Sequence, residues 1–179
     1  RGQIKAVLKN EELRTFLLII VLAVAAVCAN LMMQMGLPFS QAVRDAAFQV
    51  TTISSTTGYA TRDFALWPTF SQAILVLLML MGGCAGSTAG GTKVSRILLQ
   101  LKNVKRELNR IIHPNRISVI TMDGQTVAEQ AVRSALVFQV AYLLVLIVGA
   151  LVVALDGMGI TESLSASLAC ISNIGPARS

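Results

Sequence analysis

Two long runs of uncharged residues constrain the fold of this chain most strongly. Residues 16–33 form 18 consecutive positions without a charged side chain, and residues 134–155 form 22. At about 1.5 Å per residue, helices of these lengths reach roughly 27 and 33 Å, enough to cross a hydrocarbon core of about 30 Å. Only 13% of the residues are charged, against about 25% in soluble domains. We therefore predict two membrane spans, over residues 16–35 and 133–155.

A third apolar stretch lies between these runs and is too short to cross a membrane as a helix. Residues 68–81 would reach only about 21 Å, and the chain continues as GGCAGSTAGG over residues 82–91. Irregular backbone at membrane depth is tolerated only where it is buried in protein or lines a water-filled cavity. We predict a broken span over residues 68–92 with an intramembrane loop at 82–91, of the kind that often borders an ion path. The alternative is a helix-packing face formed by glycines at four-residue spacing.

The basic residues indicate the topology of the chain. The net charge is +6, and most Lys and Arg residues fall in residues 1–15 and 92–133. By the positive-inside rule, residues 1–15 form a cytoplasmic lead-in, and residues 93–128 form a cytoplasmic basic helix followed by a small hairpin. We expect the lipid bilayer as a partner and no nucleic acid, because no nucleic-acid-binding motif accompanies the charge.

Two short polar segments share one plan. Residues 40–54 and 160–171 are each too short to span, and each is followed by a glycine, Gly58 or Gly175, 117 residues apart. A half-length helix followed by a glycine-containing stretch is typical of a re-entrant pore loop, whose helix C-terminus favours a cation and whose backbone carbonyls can replace its hydration shell. An ordinary outer loop with an amphipathic segment is the alternative at this point.

The motifs SSTTGYATRDF (54–64), MGGCAGSTAGGTKVSR (81–96) and SNIGP (172–176) resemble the Trk, Ktr and HKT potassium transporter superfamily, and within it the membrane subunits of bacterial Trk systems. The resemblance implies an all-α membrane protein with helix–pore-loop–helix repeats like those of a potassium channel. It implies that residues 16–92 are a third repeat and residues 129–179 the truncated start of a fourth.

The same resemblance implies roles for two sets of residues. Filter strands are expected at residues 56–60 and 173–176, with K⁺ coordinated at Thr56, Thr57, Gly58, Asn173, Ile174 and Gly175, and with Tyr59 and Pro176 completing the strands. A gate loop is expected from the ten residues Gly82, Gly83, Cys84, Ala85, Gly86, Ser87, Thr88, Ala89, Gly90 and Gly91. The chain departs from the family after Pro176, where small residues are expected instead of Ala177, Arg178 and Ser179.

The expected function is that of a multi-pass subunit of a potassium uptake system in the cell inner membrane. The resemblance implies K⁺ as the transported ion, no cofactor bound by this chain, a homodimer, and a cytosolic ring of regulatory subunits that bind NAD or ATP. We expect no enzymatic activity, because no nucleophile–base pair or metal-ligand cluster is recognisable. The alternative is a secondary transporter of another monovalent cation or of a small solute, which should contain a deeper polar pocket.

Overall fold

The structure, a computed structural model, describes residues 10–60, 62–113 and 119–175. The predicted all-α membrane fold is confirmed. The helices in chain order are α1 (Glu11–Met35), α2 (Phe39–Ser54), α3 (Thr69–Met81), α4 (Val94–Ile112), α5 (Glu129–Ala154) and α6 (Ile160–Ile171). A 3₁₀ turn covers Phe64–Leu66, and a short hairpin consists of β1 (Thr121–Met122) and β2 (Gln125–Thr126).

The two long helices, α1 and α5, are long and apolar enough to cross a membrane. Both begin five residues before the uncharged runs do. α1 begins at Glu11 because the side chain of Asn10 accepts a hydrogen bond from the N–H of Leu13 and so caps the first turn. Acidic residues in a first turn also favour the helix dipole, so a charged turn extends each helix beyond its apolar run.

The short helices pack against the long ones. α2 lies against α1 and α3, and α6 lies against α5. The core between them contains Val27, Leu31, Val50 and Leu75, whose side chains have no exposed surface. The outward faces of α1 and α5 are apolar and exposed, as expected of helices whose outer surface meets lipid or further protein.

The hairpin and α4 join the beginnings of the two long helices. Asp123 and Gly124 both have left-handed backbone, which suits a tight two-residue turn. The Asp123 carboxylate accepts hydrogen bonds from the Glu11 N–H (2.7 Å) and from Asn10 Nδ2 (3.0 Å). On α4, the Arg106 guanidinium donates to both carboxylate oxygens of Glu129, each at 2.8 Å. This hydrogen bond raises the pKa of Arg106, which therefore stays charged at all physiological pH values.

Candidate functional site

The two predicted pore loops end in the same way, 117 residues apart in the sequence. α2 ends at Ser54 and α6 at Ile171, which are equivalent positions at that offset. Three residues past the end of each helix, a backbone N–H reaches back five residues. Thr57 donates to the carbonyl of Thr52 at 2.9 Å, and Ile174 donates to that of Ala169 at 3.0 Å. The repeat suspected from the sequence therefore extends to individual hydrogen bonds.

The backbone angles repeat as well. Thr56 and Asn173 have φ values of 54° and 53°, and Gly58 and Gly175 have φ values of 80° and 91°. Left-handed backbone is uncommon for residues other than glycine, so its occurrence at equivalent positions of both loops is informative. Left-handed residues two apart exclude both helix and strand, and leave irregular backbone of the kind that pore loops contain.

The predicted filter residues differ in their surroundings. Ile174 is buried, whereas Tyr59 is 71% exposed in this chain. Thr57 and Gly175 are also exposed, and Pro176 lies outside the described residues. That the two strands face one common pore stays a prediction.

A buried polar face on α2 was not predicted from the sequence. Asp45, Gln49 and Thr52 lie at i, i+4 and i+7 on one side of the helix, and each is at most 7% exposed. Among the described residues, neither amide atom of Gln49 nor the Thr52 hydroxyl has a hydrogen-bond partner. The Arg62 Nε lies 3.2 Å from Asp45 Oδ2, an ion-pair distance without hydrogen-bond alignment. The i, i+4, i+7 spacing of polar residues was the signal that could have revealed this face.

The second predicted pore loop is held by α5. The Tyr142 hydroxyl lies 2.9 Å from Ser172 Oγ, and both residues are buried. Ser167 donates a hydrogen bond to the carbonyl of Leu146 at 3.0 Å. A Cβ at Gly149 would lie 2.5 Å from Ser167 Oγ, so a glycine there allows α6 to approach α5 closely.

The glycine-rich loop folds back on itself at a neck. The N–H and the hydroxyl of Thr92 both donate to the carbonyl of Leu80, at 3.1 and 3.0 Å. The N–H groups of Lys93 and Val94 donate to the carbonyls of Met81 and Gly83, at 3.0 and 3.1 Å. Residues 80–83 therefore pair with residues 92–94, and residues 84–89 form a tip. The segment is not helical, so the alternative of a continuous helix-packing face is wrong.

Close backbone approaches explain the glycines of the neck. A Cβ at Gly82 would lie 2.0 Å from the carbonyl oxygen of Gly90, and one at Gly91 would lie 3.0 Å from Gly82 Cα. Gly82 and Gly91 also have left-handed backbone, which side chains disfavour. By contrast, a Cβ at Gly86, in the tip, would meet nothing within 4 Å among the described residues.

The glycine-rich loop touches the second predicted pore loop through Gly90. A Cβ at this position would lie 2.0 Å from the carbonyl oxygen of Ser172. Ser172 immediately precedes Asn173, Ile174 and Gly175, so the structure brings part of the predicted gate loop against the base of a predicted filter strand.

Two oppositely charged side chains hold the tip of the loop. The Lys93 ammonium donates to the carbonyl oxygens of Ser87 (2.9 Å) and Ala89. A Glu12 carboxylate oxygen accepts a hydrogen bond from the N–H of Ala85 at 2.6 Å. The sequence predicted neither contact, because both residues were counted only as charges that mark the cytoplasmic side.

Comparison with known proteins gives one consistent result. A family model described as TrkH, cation transport protein, matches residues 7–178. The chain is 38% identical over 170 residues to the Trk system potassium uptake protein TrkH of Vibrio parahaemolyticus, covering 94% of this chain and 35% of the relative. It is 34% identical over 178 residues to the Trk system potassium uptake protein TrkG of Escherichia coli, covering 98% of this chain and 36% of the relative.

A solved structure also matches. The crystal structure of the potassium transporter TrkH from Vibrio parahaemolyticus has a TM-score of 0.88 and 36% sequence identity, and the match covers 94% of this chain and 36% of that chain. The chain thus spans about a third of the length of these relatives.

Proposed function

Because the chain belongs to the family of TrkH cation transport proteins, we propose that it forms the third repeat and the start of the fourth repeat of a potassium uptake subunit. The chain is a segment of a multi-pass membrane protein, and its relatives bear names of potassium uptake proteins. In this proposal the complete protein lies in the cell inner membrane and conducts K⁺ through a pore built from four repeats.

The duplicated pore-loop geometry is the observation that supports this function best. In each copy a half-length helix ends and leads at once into left-handed backbone, at Thr56 and Gly58 or at Asn173 and Gly175. A helix C-terminus bears roughly half a negative charge, which attracts a cation. The backbone oxygens that follow are the ligands that replace the hydration shell of K⁺ in known filters. Thr57 and Ile174 supply the intervening carbonyls, and Tyr59 and Pro176 complete the strands.

The proposal assigns a gating role to residues 82–91. Three observations support it: the loop lies between α3 and α4, it forms a folded element closed by the neck, and it contacts the second pore loop at Ser172. A movement of this loop would therefore displace the backbone at the base of a filter strand. K⁺ is the transported ion in this scheme and no catalytic step is involved.

The cytoplasmic elements are proposed to contact regulatory subunits. α4 is a basic helix whose apolar residues Leu101, Leu108 and Ile111 are more than half exposed, as in helices that dock a partner. We propose a homodimer that binds a ring of soluble nucleotide-binding subunits here. If a Leu108→Asp, Ile111→Asp variant of the full-length protein still co-purified with those subunits at the wild-type ratio, the contact would lie elsewhere.

The filter assignment is tested by exchanging single glycines in the full-length protein. Gly58→Ser and Gly175→Ser place a side chain at φ values of 80° and 91°, and we expect the K⁺ preference over Na⁺ to fall by about tenfold or more, equivalent to about 1.4 kcal/mol. Gly157→Ser is the matched control, because Gly157 has the same φ of 80° as Gly58 and open surroundings like those of Gly175, but lies in the linker between α5 and α6.

The measurement is Rb⁺ uptake with Na⁺ competition in cells that lack their own potassium uptake. Gly157→Ser should retain wild-type selectivity, because its strain is confined to a linker. Unchanged selectivity in Gly58→Ser, with normal amounts of protein in the membrane, would refute the filter assignment.

A further inference from the structure

Lys93 contacts the glycine-rich loop twice: its backbone takes part in the neck, and its side chain folds back onto the tip. Its ammonium donates to the carbonyl oxygens of Ser87 and Ala89 and lies 3.5 Å from Ser87 Oγ. The backbone of Lys93 is left-handed, with a φ of 71°. A residue with a side chain rarely adopts this conformation unless the surrounding contacts enforce it. Here the hydrogen bond from the Lys93 N–H to the carbonyl of Met81 fixes the backbone, and the side chain is directed onto the tip.

The chemistry of this contact resembles that of a bound monovalent cation. A lysine ammonium is a compact positive charge with three N–H donors. Backbone carbonyl oxygens are also the ligands that take up dehydrated K⁺ in a pore. The Lys93 ammonium is therefore a cation that is covalently attached to the loop and binds carbonyl oxygens of that same loop.

The tip depends on charged contacts more than the neck does. The neck is held by backbone hydrogen bonds from residues 92–94 to residues 80–83. Within the described parts of the chain, the tip is held by a local turn between Cys84 and Ser87, by Glu12 and by Lys93. Removing the ammonium should therefore release the tip and leave the neck intact.

We propose that the Lys93 ammonium is a tethered cation that holds the glycine-rich loop in its folded form, and that the loop opens when this ammonium leaves the carbonyl oxygens of Ser87 and Ala89. The role rests on the proposed function of residues 82–91 as a gate. Lys93 acts through the loop and is a positioning residue. A monovalent cation arriving at the loop competes with the ammonium for the same oxygens, so a rise in K⁺ favours the open form.

The first test measures the loop directly and does not depend on which ion is carried. Cys84 lies at the start of the tip, and its rate of reaction with a methanethiosulfonate reagent reports how often the tip opens. The background is the full-length protein with Cys28 and Cys170 replaced by alanine. We expect Lys93→Met, which keeps the length of the side chain without its donors, to raise the rate about tenfold. Lys93→Arg, which keeps the charge, should stay within about threefold of the parent.

A second lysine provides the matched control. Lys102 also donates to a backbone carbonyl, that of Thr121 at 2.8 Å, but it lies on α4 away from the loop. Lys102→Met should leave the reaction of Cys84 unchanged. Equal rates for Lys93→Met and Lys102→Met would overturn the proposal. If Lys93→Met does not reach the membrane, Lys93→Gln replaces it. Equal rates of Cys84 reaction in Lys93→Gln and Lys93→Arg would likewise overturn the proposal.

The second test measures flux in proteoliposomes that contain the full-length protein. Lys93→Met should raise Rb⁺ flux several-fold and abolish the increase in Cys84 reactivity that K⁺ produces in the parent. Flux at or below the parental value, with Cys84 reacting at the parental rate, would refute the tethered-cation role. Failure of the proposed function can be told apart from failure of the tethered-cation role. If the parent protein conducts no K⁺, the proposed function fails, but the first test still shows whether the reactivity of Cys84 depends on Lys93.

Discussion

The contact between the glycine-rich loop and the second predicted pore loop leads to a sharp prediction for Gly90→Ala. The added Cβ would lie 2.0 Å from the carbonyl oxygen of Ser172, 2.5 Å from its carbonyl carbon and 2.9 Å from its Cα. Ordinary contacts of a Cβ begin at 3.4 Å, so the two backbones must separate by about 1.4 Å. All three atoms belong to the backbone, and no flexible side chain can move aside instead.

Ser172 has little freedom to make room. Its N–H donates to the carbonyl of Leu168 at 2.9 Å, and its hydroxyl is paired with that of Tyr142. Overpacking of this kind costs about 1–3 kcal/mol, and we expect Gly90→Ala to destabilise the full-length protein by that amount. Because Asn173 and Gly175 follow Ser172 directly, the displacement should also weaken the preference for K⁺ over Na⁺.

Gly86→Ala makes the same chemical change in the same loop and is the control. Its Cβ meets nothing within 4 Å in the described parts of the chain, so we expect a change in stability within about 0.5 kcal/mol. The assays are thermal unfolding of the purified full-length protein and Rb⁺ uptake with Na⁺ competition. If the two variants were indistinguishable in both assays, the inferred contact between Gly90 and Ser172 would be wrong.

Three further predictions concern contacts that hold the predicted pore loops and the hairpin. Tyr142→Phe leaves the buried hydroxyl of Ser172 unpaired and should cost about 1–3 kcal/mol, whereas a Tyr142→Phe, Ser172→Ala double variant should cost no more than the single variant in thermal unfolding. Gln49→Met removes a buried amide that has no partner among the described residues, so thermal stability should stay constant or rise, and a large loss would show that the amide is satisfied in the complete protein. Asp123→Ala removes the hydrogen bond to the Glu11 N–H and should cost about 1 kcal/mol, measured as earlier unfolding and faster proteolysis of the hairpin.

The helical elements follow from local properties of the sequence. The uncharged run at 16–33 lies within α1, and the run at 134–155 lies within α5 except for its last residue, because the length and apolar character of both runs suit a bilayer. The predicted short helix at 40–54 corresponds to α2, and the one at 160–171 has the same bounds as α6. Both helices begin before the predicted spans, because charged residues such as Glu11 continue a helix that is capped by Asn10.

The contacts of the candidate site could not be predicted from the sequence, because they depend on how the chain folds. Gly90 and Ser172 are 82 residues apart in the sequence, and no local pattern indicates that their backbones touch. The burial of Gln49 depends on the packing of α2 against its neighbours. Lys93 looks like one of many basic residues at a cytoplasmic boundary, and only its left-handed backbone directs its side chain back onto the loop.

The glycines of the loop limit how the proposed gate could open. Their number predicts a break in the helix, because each glycine costs about 1 kcal/mol relative to alanine in a helix interior, but it does not predict which of them are indispensable. Gly82 and Gly90 stand where a Cβ would collide with backbone, and Gly91 where it would be tight against backbone, whereas Gly86 faces open space. Most of these glycines therefore allow close packing of the backbone and do not make the segment flexible. In the proposed gating role, a loop packed in this way opens by breaking the defined contacts of its tip with Lys93 while the neck stays closed, so its opening should respond to a single substitution at Lys93.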